Sequence, residues 1–192
     1  MELSVVHYLI LANLIVFALQ LFVPRLTWEL ALTPAAVTQK LFIWQLITHM
    51  FLHAGLWHIL FNMLALWMFG LDLERVWGAR RFLYYYFFTG IGAGLLYVLV
   101  NPFSWVPSIG ASGAIYGVLL AFAMLFPDRT IILYFFPMPA RYAVIVMGLL
   151  AFFASVGGYQ PGINNIAHLG GILFGLLYLK GRGWLYRLTP RR

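Results

Sequence analysis

A chain of 192 residues has the length of one domain, and here 64% of the residues are hydrophobic and 9% charged, with a mean hydropathy of +0.91. This composition excludes an ordinary soluble domain and calls for a polytopic, all-α membrane protein. The absence of cysteine excludes disulfides and thiolate metal sites, and the net charge of +7 follows the membrane rather than a nucleic-acid surface.

Six apolar stretches are predicted as spans, at residues 5–23, 56–73, 82–100, 112–126, 140–156 and 164–179. Several approach the roughly 20 residues that cross a bilayer, and the shorter ones need shelter from their neighbours. The first begins Met1-Glu2, without a basic leader region, and is too long for the apolar core of a secretion signal. Residues 24–55 are too long for a tight turn and carry Pro24, Trp28, Pro34, Phe42 and Trp44. They are predicted to form an amphipathic, membrane-embedded first loop in the outer leaflet. The second span carries His58 and Asn62 one turn apart.

The fourth span is short. Pro107 and Gly110 precede it and Pro127 ends it, leaving about 15 helical residues, or about 22 Å. It stops below the outer surface, and irregular backbone above it is tolerated only beside protein or a water-filled cavity. Ser112 sits at its N-terminus, where unpaired N–H groups and the positive dipole end face outward. After the fifth span, Gly157-Gly158-Tyr159-Gln160-Pro161-Gly162 is rich in helix breakers and is expected to cap the start of the sixth. Residues 1–192 are read as one transmembrane domain with a basic tail at 180–192.

With six spans, one side of the membrane receives Arg75, Arg80, Arg81, Arg129, Arg141, Lys180, Arg182, Arg187, Arg191 and Arg192. The other receives Arg25 and Lys40. This asymmetry puts both termini in the cytoplasm of a cell (inner) membrane, and the tail near anionic headgroups. Trp57, Trp77, Tyr84, Tyr85, Trp105, Tyr159 and Trp184 fall near span ends, as an interfacial aromatic belt requires.

Polar side chains are costly in hydrocarbon and mark cavities or chemistry there. At 1.5 Å per helical residue, His58 lies about 24 Å and Asn62 about 18 Å from the charged end at Glu74. Ser112 lies about 24 Å from Asp128, and His168 about 18 Å from Lys180. All four therefore share one level beneath the outer surface. Gly110-Ala111-Ser112-Gly113 has the small-residue context of an approachable nucleophile, and equally that of a helix packing contact. His168, Gly171 and Gly175 lie along one helical face, and Gly113 with Gly117 is a natural mate that would bring His168 to Ser112. A histidine bonded only to a carbonyl is the plainer alternative.

His49, His53 and His58 suggest a metal site as a rival. No carboxylate lies near their level, and the Glu of His-Glu-x-x-His is absent. His58 and Asn62 suit paired donors aimed at an oxyanion.

From the first span to the sixth, the chain resembles the rhomboid family of intramembrane serine proteases. The matched residues are Trp44, His49 and His53, then His58-xxx-Asn62, Glu74 and Gly78, Gly110-x-Ser112-Gly113, and Ala167-His168-xx-Gly171-xxx-Gly175. The resemblance implies a six-helix bundle, and the chain is expected to depart from larger members in having only this minimal core, without a soluble domain or a seventh helix. It implies Ser112 as nucleophile, His168 as general base, and His58, Asn62 and the Ser112 N–H as oxyanion donors. Tyr116 would pack on the catalytic imidazole and His53 would stand near the site mouth, with Gly110, Gly113 and Gly171 as site support.

Gln45 departs from the arginine that many members carry there, which puts an ion pair of the first loop in doubt. The expected reaction is cleavage of transmembrane protein substrates at the extracytoplasmic face, with no cofactor and no metal. Entry is expected between the second and fifth spans, gated by Phe152 and Phe153. A catalytically silent relative that binds membrane proteins, or a metal-binding transporter or hydroxylase, are the competing functions.

Overall fold

The computed structural model describes residues 4–133, 135–156 and 164–181. Helix α1 (Val5–Phe22) leads through three short helices, α2 (Pro24–Leu30), α3 (Pro34–Lys40) and α4 (Gln45–Thr48), and a 3₁₀ turn at His49–Phe51. Next comes α5 (Leu56–Ala65), which a π-helical turn (Leu66–Gly70) joins to α6 (Leu71–Trp77) in one 22-residue rod. Then follow α7 (Ala79–Val100), α8 (Ser112–Leu125), a hairpin of β1 (Thr130–Leu133) and β2 (Phe136–Pro139), α9 (Ala140–Val156) and α10 (Asn165–Gly181). The molecule is a predominantly helical, multi-pass membrane bundle. By length and apolarity α1, the α5–α6 rod and α7 each suffice to cross a bilayer, whereas α8 has only 14 residues.

Local chemistry sets these boundaries. Proline occupies the first turn of α2 and α3, where its missing N–H costs nothing. Pro127 follows the end of α8, where the C-cap Phe126 has already left helical geometry at φ −127° and ψ 57°. At the start of α1, Ser4 and His7 cap each other's backbone N–H groups. Glu74, distant in sequence and buried, accepts the Val5 and Val6 N–H groups at 2.9 and 3.0 Å. A carboxylate at a helix N-terminus satisfies orphan donors and the dipole together. It ties α1 to α6.

Burial divides the helices by role. Ten of the 14 residues of α8 are buried, so it runs through the centre against α7 and α10. In α1 only Val6, Leu9 and Asn13 are buried, and its exposed Leu14, Ile15 and Leu19 suit lipid contact.

The first loop is folded rather than irregular. Trp28, Leu41 and Ile43 are exposed on it, and its polar groups turn inward. Gln45 is buried. Its Oε1 accepts the Thr33 N–H at 3.0 Å and its Nε2 donates to the Glu29 carbonyl at 3.1 Å. The neutral amide therefore stitches two stretches of loop backbone, a task needing one donor and one acceptor, which an arginine lacks.

Two features depart from the sequence reading. The antiparallel β1–β2 hairpin, with Thr130 opposite Pro139 and Ile132 opposite Pro137, interrupts the connection between α8 and α9. It closes through the Ala140 N–H to the Arg129 carbonyl. Tyr85 and Trp77 are buried and do not join the aromatic belt. Tyr85 instead donates to the Gly117 carbonyl at 2.6 Å and packs edge-on against Trp77 and Tyr178. Trp57, Tyr84 and Trp105 are exposed; the cap at 157–162, with Tyr159, and the tail beyond Gly181, with Trp184, lie outside the described residues.

Gln45→Ala removes the acceptor of the half-buried Thr33 N–H and one of two donors to the Glu29 carbonyl, which keeps Trp44 Nε1–H, so stability should fall by about 1 kcal/mol. Thermal unfolding of the purified protein in detergent checks this, and Gln45→Glu should recover only part of the loss.

Candidate active site

Helices α8 and α10 meet at backbone distance. A Cβ built on Gly171 would stand 1.9 Å from the Gly113 carbonyl oxygen, and one on Gly175 would be 3.5 Å from the Gly117 Cα. No side chain fits there. This contact brings Ser112, the first residue of α8, against His168 in the first turn of α10. Ser112 Oγ lies 2.9 Å from His168 Nε2. The Tyr116 ring, one turn after Ser112, stacks on the imidazole with centroids 4.3 Å apart and planes 9° from parallel. Among the described residues His168 Nδ1 is buried without a hydrogen-bond partner, so stacking and helix contact orient the ring, not a carboxylate.

The pair opens into a cavity of about 400 Å³ whose lining includes His49, His58, Ser108, Gly110, Tyr116 and Asn164. His58 Nδ1 accepts the Ala54 N–H at 3.2 Å, which puts the imidazole proton on Nε2. That Nε2 abuts Gly110, where a Cβ would lie 2.9 Å away, and Gly110 also has a φ of +126°. Both the turn and the close approach require glycine. The N–H groups of the first turn of α8 have no intrahelical partner and offer further donors.

Asn62 is not brought to the cavity lining. Its Nδ2 donates to the His58 carbonyl one turn back at 2.9 Å, because a helix carbonyl lies within easier reach than the cavity. His53 packs its ring edge-on against His58, with centroids 5.1 Å apart. Burial, with a smaller contribution from His58, pushes the His53 imidazole down to about 4, and burial does the same to His49. Both are neutral at physiological pH. Phe152 and Phe153 stand exposed near the end of α9, ring against ring, away from the cavity lining.

Sequence reasoning passed over three further polar residues: Ser108 and Asn164 line the cavity, and Gln20 holds His53. Gln20 of α1 accepts the His53 N–H at 2.9 Å and donates to its carbonyl at 3.3 Å. Ser108 exchanges backbone hydrogen bonds with Leu32 of the first loop. Asn164 caps α10 by accepting the Ala167 N–H at 3.0 Å and donates across the mouth to Ser108 Oγ at 2.8 Å. Ser108 and Asn164 each precede a member of the Ser112–His168 pair by four residues, so this bond forms a second rung beside the first. A polar residue inside the first apolar stretch was the available signal for Gln20. Asparagine at a helix start was the signal for Asn164. Nothing in the sequence marks Ser108.

Residues 40–184 match the Rhomboid domain family. The chain belongs to the rhomboid family. It is 40% identical over 154 residues to Rhomboid protein 1, mitochondrial, of Saccharomyces cerevisiae, covering 77% of this chain and 42% of that one. It is 35% identical over 136 residues to the Putative rhomboid protease YdcA of Bacillus subtilis, covering 70% and 64%. To the Rhomboid protease AarA of Providencia stuartii it is 33% identical over 152 residues, covering 70% and 54%. The chain thus spans about two fifths to two thirds of the length of these relatives.

In this rhomboid the α8–α10 glycine contact sets the spacing of the polar pair. Gly171→Ala should destabilise the fold by about 3 kcal/mol, the upper end for overpacking, because the atom in the way is backbone. Gly181→Ala meets nothing within 4 Å and should be neutral or slightly stabilising in the same unfolding assay.

Proposed function

We propose that this chain is an intramembrane serine endopeptidase acting through a Ser112–His168 dyad. The observation that carries the proposal is the 2.9 Å contact between Ser112 Oγ and His168 Nε2 beside a cavity inside a membrane bundle. Hydroxyl and imidazole at that distance form the nucleophile–base pair of acyl transfer. His168 Nε2 takes the hydroxyl proton as Oγ attacks a substrate carbonyl. The C–N bond then breaks, the leaving nitrogen receives that proton, and an acyl-enzyme remains. Water, giving a proton to His168, then adds to the acyl carbon; the bond to Oγ breaks, Ser112 recovers its proton from His168, and the acid product leaves.

His58 Nε2–H and the Ser112 N–H are the main oxyanion donors. Asn62, bonded to the His58 carbonyl and outside the cavity lining, contributes only once its amide turns toward the cavity. Tyr116 holds the imidazole plane, while His53, Gly110, Gly113 and Gly171 support the site.

The substrates are transmembrane segments of other membrane proteins. A helical segment hides its carbonyls in hydrogen bonds and must unwind first, so small or helix-breaking residues near the outer face favour cleavage. Residues 1–192 form one domain in the cell (inner) membrane, with both termini cytoplasmic and the cavity opening to the extracytoplasmic side. Ten of twelve basic residues on one side support that orientation.

Purified protein in liposomes with a single-pass substrate provides the test. Ser112→Ala and His168→Ala should abolish cleavage, and a fluorophosphonate should label wild type but not Ser112→Ala. Asn62→Ala should keep measurable activity, losing less than the about 10²–10³ that a full oxyanion donor supplies. Asn164→Ala, which removes the Ser108 rung and the α10 cap but no reacting group, should lower kcat with little change in KM. Labelling that persists in Ser112→Ala would overturn the assignment.

Phe152 and Phe153 are proposed as a gate on lateral entry between the α5–α6 rod and α9. Replacing both by alanine should raise the cleavage rate in liposomes. An unchanged rate in a variant of wild-type stability would remove the gate.

A further inference from the structure

Gln20 lies near the end of α1, and both ends of its amide are engaged. Its Oε1 accepts the His53 N–H at 2.9 Å. One Nε2 hydrogen goes to the His53 carbonyl at 3.3 Å and the other to Thr27 Oγ1 at 3.0 Å. Only the amide oxygen can meet an N–H, so this pairing fixes which way the amide lies. His53 and Ala54 stand between the 3₁₀ turn and α5, outside any helix or strand. There Gln20 takes both backbone groups of His53, as a neighbouring strand does in a sheet.

The His53 carbonyl and the Ala54 N–H are the two polar ends of one planar peptide unit, and they point in opposite directions. Gln20 binds the carbonyl end, and the N–H end donates to His58 Nδ1 at 3.2 Å. The amide on α1 and the imidazole on α5 are thus joined through a single rigid group. A bond to the carbonyl polarises the N–H of the same unit, so the two strengthen together. The His53 ring, edge-on to that of His58 with centroids 5.1 Å apart, braces the imidazole from the same residue.

Turning this peptide over would break the Gln20 bond to the carbonyl and present the carbonyl, not the N–H, to Nδ1. A neutral imidazole facing a carbonyl carries its proton on Nδ1. Nε2, the atom beside Gly110 at the cavity, would then be a bare lone pair that repels an oxyanion instead of donating to it. We infer that Gln20 is a positioning residue for His58, keeping the imidazole proton on Nε2 through the His53–Ala54 peptide. Its effect on turnover rests on the oxyanion role proposed above for His58, whereas the site of the proton is measurable without any reaction.

NMR of the full chain in detergent, with nitrogen-labelled histidine, reports the tautomer, and His58→Ala identifies the His58 signals. Wild type should show one neutral form, protonated on Nε2. Gln20→Met, which keeps the length but not the amide, should show both forms. In liposomes with the single-pass substrate it should lower kcat about tenfold, part of the about 10²–10³ of a full oxyanion donor, with KM changed by less than about twofold. In a His58→Ala background the same substitution should lower kcat no further. Thr27→Val leaves both His53 bonds in place and should keep the wild-type tautomer and kcat. Gln20→Asn holds the amide one methylene short and decides the matter if Gln20→Met does not fold. An Nε2–H form alone in both Gln20 variants, or an equal kcat loss with and without His58, overturns the positioning role. A wild type protonated on Nδ1 overturns it without any variant. Absence of cleavage by wild type would strike the protease reading instead, and the tautomer comparison would still decide this one.

Discussion

The approach of α8 to α10 without any intervening side chain is the constraint from which the geometry of the site follows. With Gly171 against the Gly113 carbonyl, the two helix axes lie closer than side chains normally allow. The hydroxyl at the start of one helix and the imidazole in the first turn of the other then reach hydrogen-bond distance. In a membrane no hydrophobic force presses helices together, so close packing and polar contacts must supply the association. Tyr85 adds such a contact by donating to the Gly117 carbonyl from α7. The shortness of α8 has its consequence here as well, because it leaves Ser112 beside a cavity rather than at a membrane surface.

Among the described residues, the segments around that cavity are joined by backbone pairing and amide side chains rather than ion pairs. Gln45 joins two parts of the first loop, Gln20 fixes His53 from α1, and Leu32 pairs with Ser108. The chain from Ser108 to Asn164 continues this network to the start of α10. Neutral hydrogen bonds suit the position, since a charge buried at membrane depth would carry a large desolvation cost.

At the opposite end the logic is reversed. There Asp72 and Asp128 satisfy three arginines between them, and Glu74 caps α1. Charge is used at this face to fix helix ends and the β1–β2 hairpin, where water and headgroups make it inexpensive.

The apolar helical character, the short fourth helix and the glycine faces of α8 and α10 were legible in the sequence. Each is a local property: hydropathy, a proline or glycine at a defined position, or a helical repeat of small residues. The hairpin was not legible, because Thr130–Leu133 is a short apolar run whose pairing with Phe136–Pro139 depends on the turn between them. The burial of Tyr85 and Trp77 was hidden too, since hydropathy gives depth along the membrane normal but not the direction a side chain faces. Asn62 donates one turn back within its own helix, a local bond, whereas only the tertiary structure brings Ser108 and Asn164 together. That bond joins segments 56 residues apart in the chain, and only the packing of the helices defines its length.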